Sequence, residues 1–384
     1  MKITVHANEL LTALKKVEKG AAQNWKIPVL RHFVFEALPN STLTVSASNM
    51  EIFLKSTVSD ADVEHLTERT KFAVEIPAFR KGIRTLGDEL IEIVVHDYQL
   101  TVEHSSGRFF LPLYKSPDEF PVPSPVMEPH HTIALEVPAV RSCLDILSLA
   151  MAEDELRPAM NGILFEFDKC LNMVSSDGYI LALVETQIKS DFQGEYIIPR
   201  FVIQILQRIL PKTGFLTMQL SEKVYDSCIT IEDGSETLTV HFKRTDGRYP
   251  NWRSVVDRNY SFDVTVGRRK LFRSLERSCI FSNSSSNLGV FRLDKDIPSK
   301  LIVESDDVDF ETKAIESVDA EYLTSDNFAI GLKIPTLIKC LKPMTSQQII
   351  FHIKDAGRAV LMEPDVQTAK EKITLLIMPM LLNN

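Results

Sequence analysis

The sequence predicts an α+β protein built from three similar domains, each with two helices packed on antiparallel sheets. Two observations predict this class. A strand that runs into a helix begins near residue 3 and returns near residues 133 and 262, so the chain repeats at a spacing of about 130 residues. The segments that follow these helices alternate between apolar and polar residues, as in 42–48 and 301–305, which is typical of strands with one buried face.

A second strand-to-helix element divides each repeat in half, and a proline marks it at Ile76-Pro77, Ile198-Pro199 and Ile334-Pro335. Proline is tolerated in the first helical turn because the N–H that it lacks has no partner within the helix. Each repeat is therefore expected to contain two helices and several strands. The alternative that this degenerate pattern leaves open is a series of unrelated α+β domains.

Prolines also indicate where the domains meet. Four of them interrupt regular structure between Pro121 and Pro129, because proline breaks both helices and central strands. A second boundary is expected between Val255 and Asn259. We therefore expect domains at 1–125, 126–256 and 257–384.

Composition limits the classes of protein to consider. The chain has 384 residues, of which 44% are hydrophobic and 25% charged, as in ordinary globular proteins with more than one domain. Five widely spaced cysteines without a C-x-x-C pair predict neither a disulfide framework nor a zinc site, and we expect no metal and no cofactor. No apolar run approaches the roughly 18 residues that span a bilayer, so the predicted location is the cytoplasm.

The formal net charge of −9 would ordinarily argue against nucleic acid, but the charge is unevenly distributed. The six predicted helices, at 7–20, 77–88, 137–152, 199–213, 267–279 and 333–344, together carry about +13, which leaves about −22 on the rest of the chain. A protein with basic helices and acidic strands can present one face to phosphates and repel nucleic acid elsewhere. The alternative is a set of solvated helix faces.

The positively charged residues are candidates for phosphate contacts that do not depend on base sequence. We expect DNA binding from Lys15, Lys16, Lys26, Arg80, Lys81, Arg84, Arg141, Arg200, Arg208, Lys212, Arg268, Arg269 and Lys339.

Several short motifs resemble one known family, the beta subunit of bacterial DNA polymerase III, which is the sliding clamp. They run in the family's order through essentially the whole chain. They include the opening Met1-Lys2-Ile3-Thr4-Val5, Ser176-Asp177-Gly178, Asp246-Gly247-Arg248-Tyr249-Pro250 and the terminal Ile377-Met378-Pro379-Met380.

The resemblance implies a non-catalytic, head-to-tail homodimeric ring whose basic helices line a hole for double-stranded DNA. Such a ring is a processivity factor, because it cannot leave sideways from a duplex that it encloses. By the same resemblance, an edge strand near Arg108, Leu111 and Leu113 would meet the partner subunit near Ile280 and Phe281. Packing within one domain is the alternative for these apolar residues.

The resemblance also implies a hydrophobic groove that binds short linear motifs of the polymerase III alpha subunit, the clamp loader, other polymerases and repair proteins. By position it comprises Met160, Ser176, Gly178, Tyr179, Ile180, Leu181, Pro250, Val255, Leu376, Met378, Pro379 and Met380. The family usually has His-Arg at the position of Tyr179-Ile180, and arginine at that of Leu381. The groove is therefore expected to be more apolar, with a different preferred peptide. A buried final strand is the alternative for the terminal segment.

The sequence offers less support for two other functional classes. The sequence has no H-E-x-x-H, phosphate-loop, G-x-G-x-x-G or G-x-S-x-G pattern, so little supports an enzyme. The acidic cluster Asp306-Asp307-Val308-Asp309 could suggest a cation site, but a solvated turn is the simpler interpretation. The second rival is a clamp-like paralogue that scaffolds proteins other than the main replicative polymerase, a hypothesis raised by Tyr179, Ile180 and Leu381.

Overall fold

The computed structural model describes every residue except 22–25, 40–41, 65, 67, 223–225, 235, 298, 369 and 383–384. Its elements follow one order three times: a strand, a helix, a group of strands, a second helix and three further strands. This result confirms the predicted fold class of three similar α+β repeats.

The first repeat differs from the other two by one additional short strand, β5. Its elements are β1 (Lys2–His6), α1 (Ala7–Val17), β2 (His32–Ala37), β3 (Leu43–Ser48), β4 (Ile52–Thr57), β5 (Asp62–Glu64), β6 (Thr70–Glu75), α2 (Ile76–Arg84), β7 (Leu90–His96), β8 (Gln99–His104) and β9 (Gly107–Pro112). The second repeat contains β10 (His130–Glu136), α3 (Val137–Leu147), β11 (Gly162–Phe167), β12 (Cys170–Ser176), β13 (Ile180–Lys189), β14 (Gly194–Pro199), α4 (Arg200–Ile209), β15 (Phe215–Ser221), β16 (Asp226–Asp233) and β17 (Glu236–Lys243).

The third repeat has the same order as the second. Its elements are β18 (Phe262–Gly267), α5 (Arg268–Ile280), β19 (Leu288–Leu293), β20 (Lys300–Asp307), β21 (Thr312–Tyr322), β22 (Phe328–Lys333), α6 (Ile334–Leu341), β23 (Gln348–Ile353), β24 (Val360–Pro364) and β25 (Glu371–Ile377).

The helices begin close to where the prolines predict, but they end earlier. Pro77 and Pro335 lie in the first turns of α2 and α6, as expected of a residue that donates no hydrogen bond. Pro199 is instead the last residue of β14, and α4 starts one residue later. The predicted helix 199–213 was therefore too long. The last helical hydrogen bond runs from Leu210 to Leu206, and Pro211 has no N–H with which to continue the series.

The chain folds into two compact units, Met1–Arg141 with Gln204–Arg244 and Ser142–Ile203 with Thr245–Asn384. The first unit contains a five-stranded sheet in the order β5-β1-β7-β8-β9 and an eight-stranded sheet in the order β10-β15-β16-β17-β4-β3-β2-β6. The second unit contains a twelve-stranded sheet in the order β14-β11-β12-β13-β25-β24-β23-β18-β21-β20-β19-β22. Strands of successive repeats thus share a sheet, so the domain limits 1–125, 126–256 and 257–384 stay a prediction.

The core of the first unit is formed by alternate strand residues and one face of each helix. Phe35 stacks on Phe72 at 4.9 Å and meets Phe79 of α2 edge-on at 5.7 Å, the two arrangements that aromatic rings prefer. All three side chains are buried. Phe35 and Phe72 are register partners, so both side chains lie on the same face of the sheet, the face that packs on α2.

The cysteines are unpaired, as the sequence predicts. Cys143, Cys228 and Cys340 are buried, and Cys170 and Cys279 are half-buried. Burial raises the pKa of the Cys228 thiol to about 11, so this side chain stays a protonated thiol at neutral pH. Separately, no helix in the described part of the chain is long and apolar enough to span a membrane.

A cluster of charged groups crosses the strands of the third repeat. His352 Nδ1 lies 2.7 Å from Asp263 Oδ1, and its Nε2 lies 3.8 Å from Glu363. Glu363 also accepts a 2.6 Å hydrogen bond from the Thr374 hydroxyl and lies 3.8 Å from Lys372. Burial alone would raise the pKa of Glu363, but His352, Thr374 and Lys372 outweigh it and hold the pKa at about 2.

This depressed pKa predicts a pH-dependent contribution to stability. The contribution is complete above the usual carboxyl pKa of about 4.5 and is lost as the pH falls through about 2. Replacing Glu363 by glutamine should therefore lower the free energy of unfolding by up to about 3 kcal/mol at pH 5 and by much less at pH 2.5. Urea unfolding at both pH values checks this, with the exposed Glu155→Gln as control. An equal loss at both pH values would contradict it.

Candidate functional sites

Seven of the predicted DNA-binding residues expose their charged groups to solvent. None of the seven side chains forms an ion pair or hydrogen bond with the described part of the chain. They are Lys15, Lys26, Lys81, Arg84, Arg208, Lys212 and Arg269. Charged groups left free in this way can contact phosphates without first breaking an internal bond.

Three of the predicted arginines donate hydrogen bonds within the chain, mostly to carbonyls at the ends of helices or helical turns. Arg141 donates to the carbonyl of Leu210 at 2.8 Å, directly after α4. Arg268 donates to the carbonyls of Leu341, at the end of α6, and Ser346. Carbonyls at a helix C-terminus lack partners within the helix and favour a positive charge. These arginines therefore link neighbouring segments of the chain. Their DNA-binding role stays a prediction, and these internal bonds weaken the support for it.

Arg200 donates similar hydrogen bonds in the second repeat. Its guanidinium donates to the carbonyls of Met151 and Ala152 at 3.1 and 3.2 Å and forms an ion pair with Glu153. In three successive half-repeats, a helix arginine thus binds carbonyls at or just after the end of another helical segment. Sequence reasoning counted their charge but could not show where the guanidinium groups point.

Three further predicted residues have partners as well. Lys16 forms a largely buried ion pair with Glu236, and Arg80 lies 3.0 Å from Glu18. Lys339 donates to the carbonyl of Leu149. Most of the unengaged positive charge in the predicted set therefore lies on the seven exposed residues.

The predicted partner groove has a buried apolar floor in the second unit. Leu181 of β13 and Leu376 of β25 are register partners, and both belong to one cluster with Leu164, Val174, Tyr249 and Trp252. Met160 and Ile180 are also buried. The structure thus brings together residues that lie almost 220 positions apart in the sequence.

A tight hairpin supports one side of this groove. The Ser176 hydroxyl donates to the carbonyl of Ile180 at 2.9 Å and accepts from the N–H of Gly178 at 3.1 Å. Asp177 accepts hydrogen bonds from the N–H groups of Tyr179 and Ile180. Gly178 has a φ of 91°, a conformation that favours glycine. Ser176 and Gly178 therefore shape the turn.

Exposed apolar residues form the rim. Tyr179 is 75% exposed, and Val255 and Met378 are also exposed. The N–H of Met378 donates to the carbonyl of Tyr179 at 2.9 Å, so these two rim residues lie side by side. Met380 is held by a backbone bond to Gly331. An apolar floor with an apolar, partly flexible rim suits a short peptide that buries apolar side chains.

Sequence reasoning missed two aromatic residues of the floor, Tyr249 and Trp252. Tyr249 belongs to the motif at 246–250, and Trp252 follows it by three positions. Arg253 holds this segment in place, because its guanidinium forms a two-pronged ion pair with buried Glu166 at 2.5 and 2.7 Å and lies 4.2 Å above the Trp252 ring. Such planar pairing and stacking restrict the segment that also carries Pro250 and Val255.

The pairing of the last strand in each repeat shows which repeats are joined to each other within the chain. The last strand of the second repeat, β17, pairs with β4, and the last strand of the third repeat, β25, pairs with β13. The last strand of the first repeat, β9, pairs only with β8 among the described strands. On β21, residues 312–319 pair only with β20 within the same described set. The outer edge of β9 and residues 312–319 of β21 are thus left without a second partner strand in the described part of the chain. We call them the open edges, because the corresponding strands of the other repeats are paired.

Exposed apolar side chains accompany both open edges. Phe110 on β9 and Ile315 on β21 are exposed, and Ile280 is 76% exposed at the end of α5, beside the partly exposed Phe281. Arg108 is exposed and lies 5.5 Å over the Phe110 ring. Leu111 and Leu113 are half-buried. Unpaired edges with exposed apolar residues are typical of protein interfaces.

Comparisons with known proteins point to one family. Residues 1–124 match the family model described as the DNA polymerase III beta subunit, N-terminal domain, and residues 134–251 match the model for the central domain of the same subunit. The beta sliding clamp of Synechocystis is 26% identical, with both chains covered in full. That of Haemophilus influenzae is 24% identical over 99% of this chain and 100% of the relative.

Solved structures agree with this result. The DNA polymerase sliding clamp of Pseudomonas aeruginosa, crystallised with a ligand, covers both chains in full with a TM-score of 0.87 and 25% identity. The sliding clamp of Bacillus subtilis matches equally over both chains, with a TM-score of 0.87 and 18% identity, which supports the fold.

Proposed function

Because the chain belongs to the family of bacterial DNA polymerase III beta subunits, the sliding clamps, we propose that two copies close into a ring around double-stranded DNA. The ring would act as the non-catalytic processivity factor of DNA replication. The observation that carries this proposal is the pair of open strand edges, β9 and β21, whose counterparts in the other repeats are joined within the chain.

The two open edges support a head-to-tail dimer. If β9 of one copy paired with β21 of the other, the unpaired backbone groups of both strands would gain partners. The two contacts of a symmetric pair would close a ring of six repeats. Arg108, Leu111, Leu113, Ile280 and Phe281 would lie at each contact, together with Phe110 and Ile315.

The positive charges support a DNA-facing surface on the helices. Five of the seven exposed, unengaged residues, Lys15, Lys81, Arg84, Arg208 and Arg269, lie on or at the end of helices, and Lys212 follows α4 closely. Contacts to phosphates alone would bind DNA without sequence preference and allow the ring to slide.

Reversing charge at Arg208 and Lys212 should weaken DNA retention without unfolding the protein. Both side chains are exposed, so glutamate at these positions removes phosphate contacts and breaks no internal bond. Each lost contact should lower the slope of log affinity against log salt concentration by about 0.9. Retention on nicked circular DNA at several salt concentrations measures this, and a normal thermal midpoint shows that the fold persists.

The matched control is Lys169→Glu with Lys189→Glu, two exposed lysines that lie outside the helices. This control should retain DNA normally. Arg200→Glu should behave differently again and lower the thermal midpoint, because it removes the bonds to Met151 and Ala152. Equal DNA retention by the Arg208 and Lys212 variant and the parent protein would contradict the assignment of this surface.

The partner groove has a role separate from DNA binding. We propose that its apolar floor and rim bind short linear motifs of the polymerase III alpha subunit, the clamp loader, other polymerases and repair proteins in the cytoplasm. Met160, Ser176, Gly178, Tyr179, Ile180, Leu181, Pro250, Val255, Leu376, Met378, Pro379 and Met380 would form it, with Tyr249 and Trp252 completing the floor.

Retention on circular and linearised plasmid after loading tests the ring directly. A closed ring is linked to a circle but slides off a free end, whereas ordinary surface binding does not depend on ends. We expect retention on the circle and rapid loss after linearisation. Equal retention on both forms would mean that the basic helices are only a binding surface, and the ring proposal would have to be abandoned.

A further inference from the structure

We infer that the junction between the first two repeats carries a second docking groove, which receives an extended partner segment with an apolar side chain beside a basic one. We call it the first-junction groove. Its walls are the hairpin at Ser48–Phe53, the linker at Pro121–Ser124 and the adjoining ends of β16 and β17. The inference rests on the partner groove of the proposed function, because the two sites share one construction.

The hairpins of the two grooves have the same hydrogen bonds. The Ser48 hydroxyl donates to the carbonyl of Ile52 at 2.8 Å and accepts from the N–H of Met50 at 3.1 Å. Asn49 accepts from the N–H groups of Glu51 and Ile52. These are the bonds that Ser176 and Asp177 make in the partner groove. Met50 replaces Gly178 and also has a positive φ, of 79°.

An aromatic residue followed by proline supports each groove from the linker. Phe120 is buried in a cluster with Val29, Leu30 and Val34, and Pro121 follows it. Tyr249 is buried in the floor of the partner groove, and Pro250 follows it. In both places the buried ring anchors the linker, and the residues after the proline line the groove.

The strand pairing corresponds as well. Ile52, on the second strand of the first hairpin, pairs with Phe242 near the end of β17. Ile180, just after the second hairpin, pairs with Ile377 at the end of β25. Hairpin, linker and terminal strand therefore meet in the same way at both junctions. The first-junction groove encloses a cavity of about 180 Å³, which accepts one or two side chains but no large cofactor.

The lining of the cavity indicates the chemistry of its occupant. Val122 is 82% exposed and Met50 is 60% exposed, so two apolar side chains stand at the opening. Glu51, Asp226 and Lys243 also line it, and none of the three forms an ion pair with another described residue. Two carboxylates against one ammonium leave a net negative rim, which favours a basic residue next to the apolar one.

A half-buried histidine lies in the wall of the groove. The ring of His241 is edge-on to Phe53 at 6.1 Å, and its buried Nδ1 has no hydrogen-bond partner among the described residues. Burial lowers the pKa of His241, so the ring is neutral at physiological pH and adds no positive charge to the rim.

Methionine methyl NMR tests this inference, because each groove carries its own reporter. The full-length protein labelled with 13C-methyl methionine would be titrated with the synthetic peptide acetyl-Arg-Leu-Phe-Ser-amide. We expect the Met50 signal to shift, and to shift still when Met378→Asp blocks the partner groove. Val122→Asp should abolish the Met50 shift. Glu51→Lys should weaken it by about fivefold, the size expected for one exposed charge pair.

The outcomes separate the two sites. A shift of Met378 alone would overturn the first-junction groove and leave the partner groove intact. A shift of Met50 alone would support the inference and count against the partner groove. No shift at either methionine would overturn both. If Met50 shifts equally with acetyl-Glu-Leu-Phe-Ser-amide, the basic residue is not recognised and the assigned chemistry of the occupant is wrong.

Discussion

Replacing Ile280 by aspartate should convert the proposed dimer into folded monomers. Ile280 is 76% exposed at the end of α5, so the carboxylate costs the isolated chain little. In the proposed dimer the same carboxylate would be buried against apolar residues of β9, without a partner for its charge. Such a substitution at the centre of an interface costs several kcal/mol, so we expect the dissociation constant to rise at least about 100-fold.

Sedimentation over a range of protein concentrations measures this effect, and loss of retention on circular plasmid should accompany it. Val366→Asp is the matched control, because Val366 is similarly exposed but belongs to the segment between β24 and β25 and to neither open edge. It should remain a dimer. If Ile280→Asp and the control have the same mass in solution, the edges β9 and β21 do not form the interface.

Replacing Met378 by aspartate should abolish the proposed binding of partner peptides and leave the proposed dimer intact. Met378 lies on the groove rim beside Tyr179 and is partly exposed, so the fold tolerates the change. A bound apolar peptide would bury the new carboxylate without a partner. Loss of a central contact typically costs 2 kcal/mol or more, so affinity for a peptide with the polymerase motif should fall at least about 30-fold.

Fluorescence anisotropy with a labelled motif peptide measures this affinity. Met127→Asp is a control of the same residue type, because Met127 is also exposed but lies in the linker before β10. It should bind normally. Unchanged peptide affinity in Met378→Asp would remove the terminal segment from the groove. This variant should stay on circular DNA, whereas Ile280→Asp should be lost from it, so the two variants separate tethering from encirclement.

Short-range patterns predicted the elements well. Pro77 and Pro335 mark the starts of α2 and α6, because the effect of proline on the backbone is local. The helix after Pro199 was predicted too long, although Pro211, which has no N–H, is a local stop. Ser176, Asp177 and Gly178 were recognised as a motif, and the structure shows them as a turn whose bonds span only five residues.

Long-range contacts limited what could be predicted about the sites. The helix charges of Arg141, Arg200 and Arg268 were counted correctly, but each guanidinium binds carbonyls about 50 to 80 residues away. Trp252 was missed because nothing near it in the sequence indicates that it packs with Leu181 and Leu376. The similarity between the hairpins at Ser48 and Ser176 was not evident from the sequence either, because the two five-residue segments differ at three positions.

The sequence by itself therefore determined the class of fold, the threefold repeat, the family and the segregation of positive charge onto the helices. These properties depend on periodicity, proline, composition and short motifs, which act over a few residues at a time. Only the tertiary structure decided which arginines are free, which aromatic residues form a groove and which strand edges remain open. Those outcomes depend on pairing between distant segments, and neither the register nor the partner of a strand is written in its own residues.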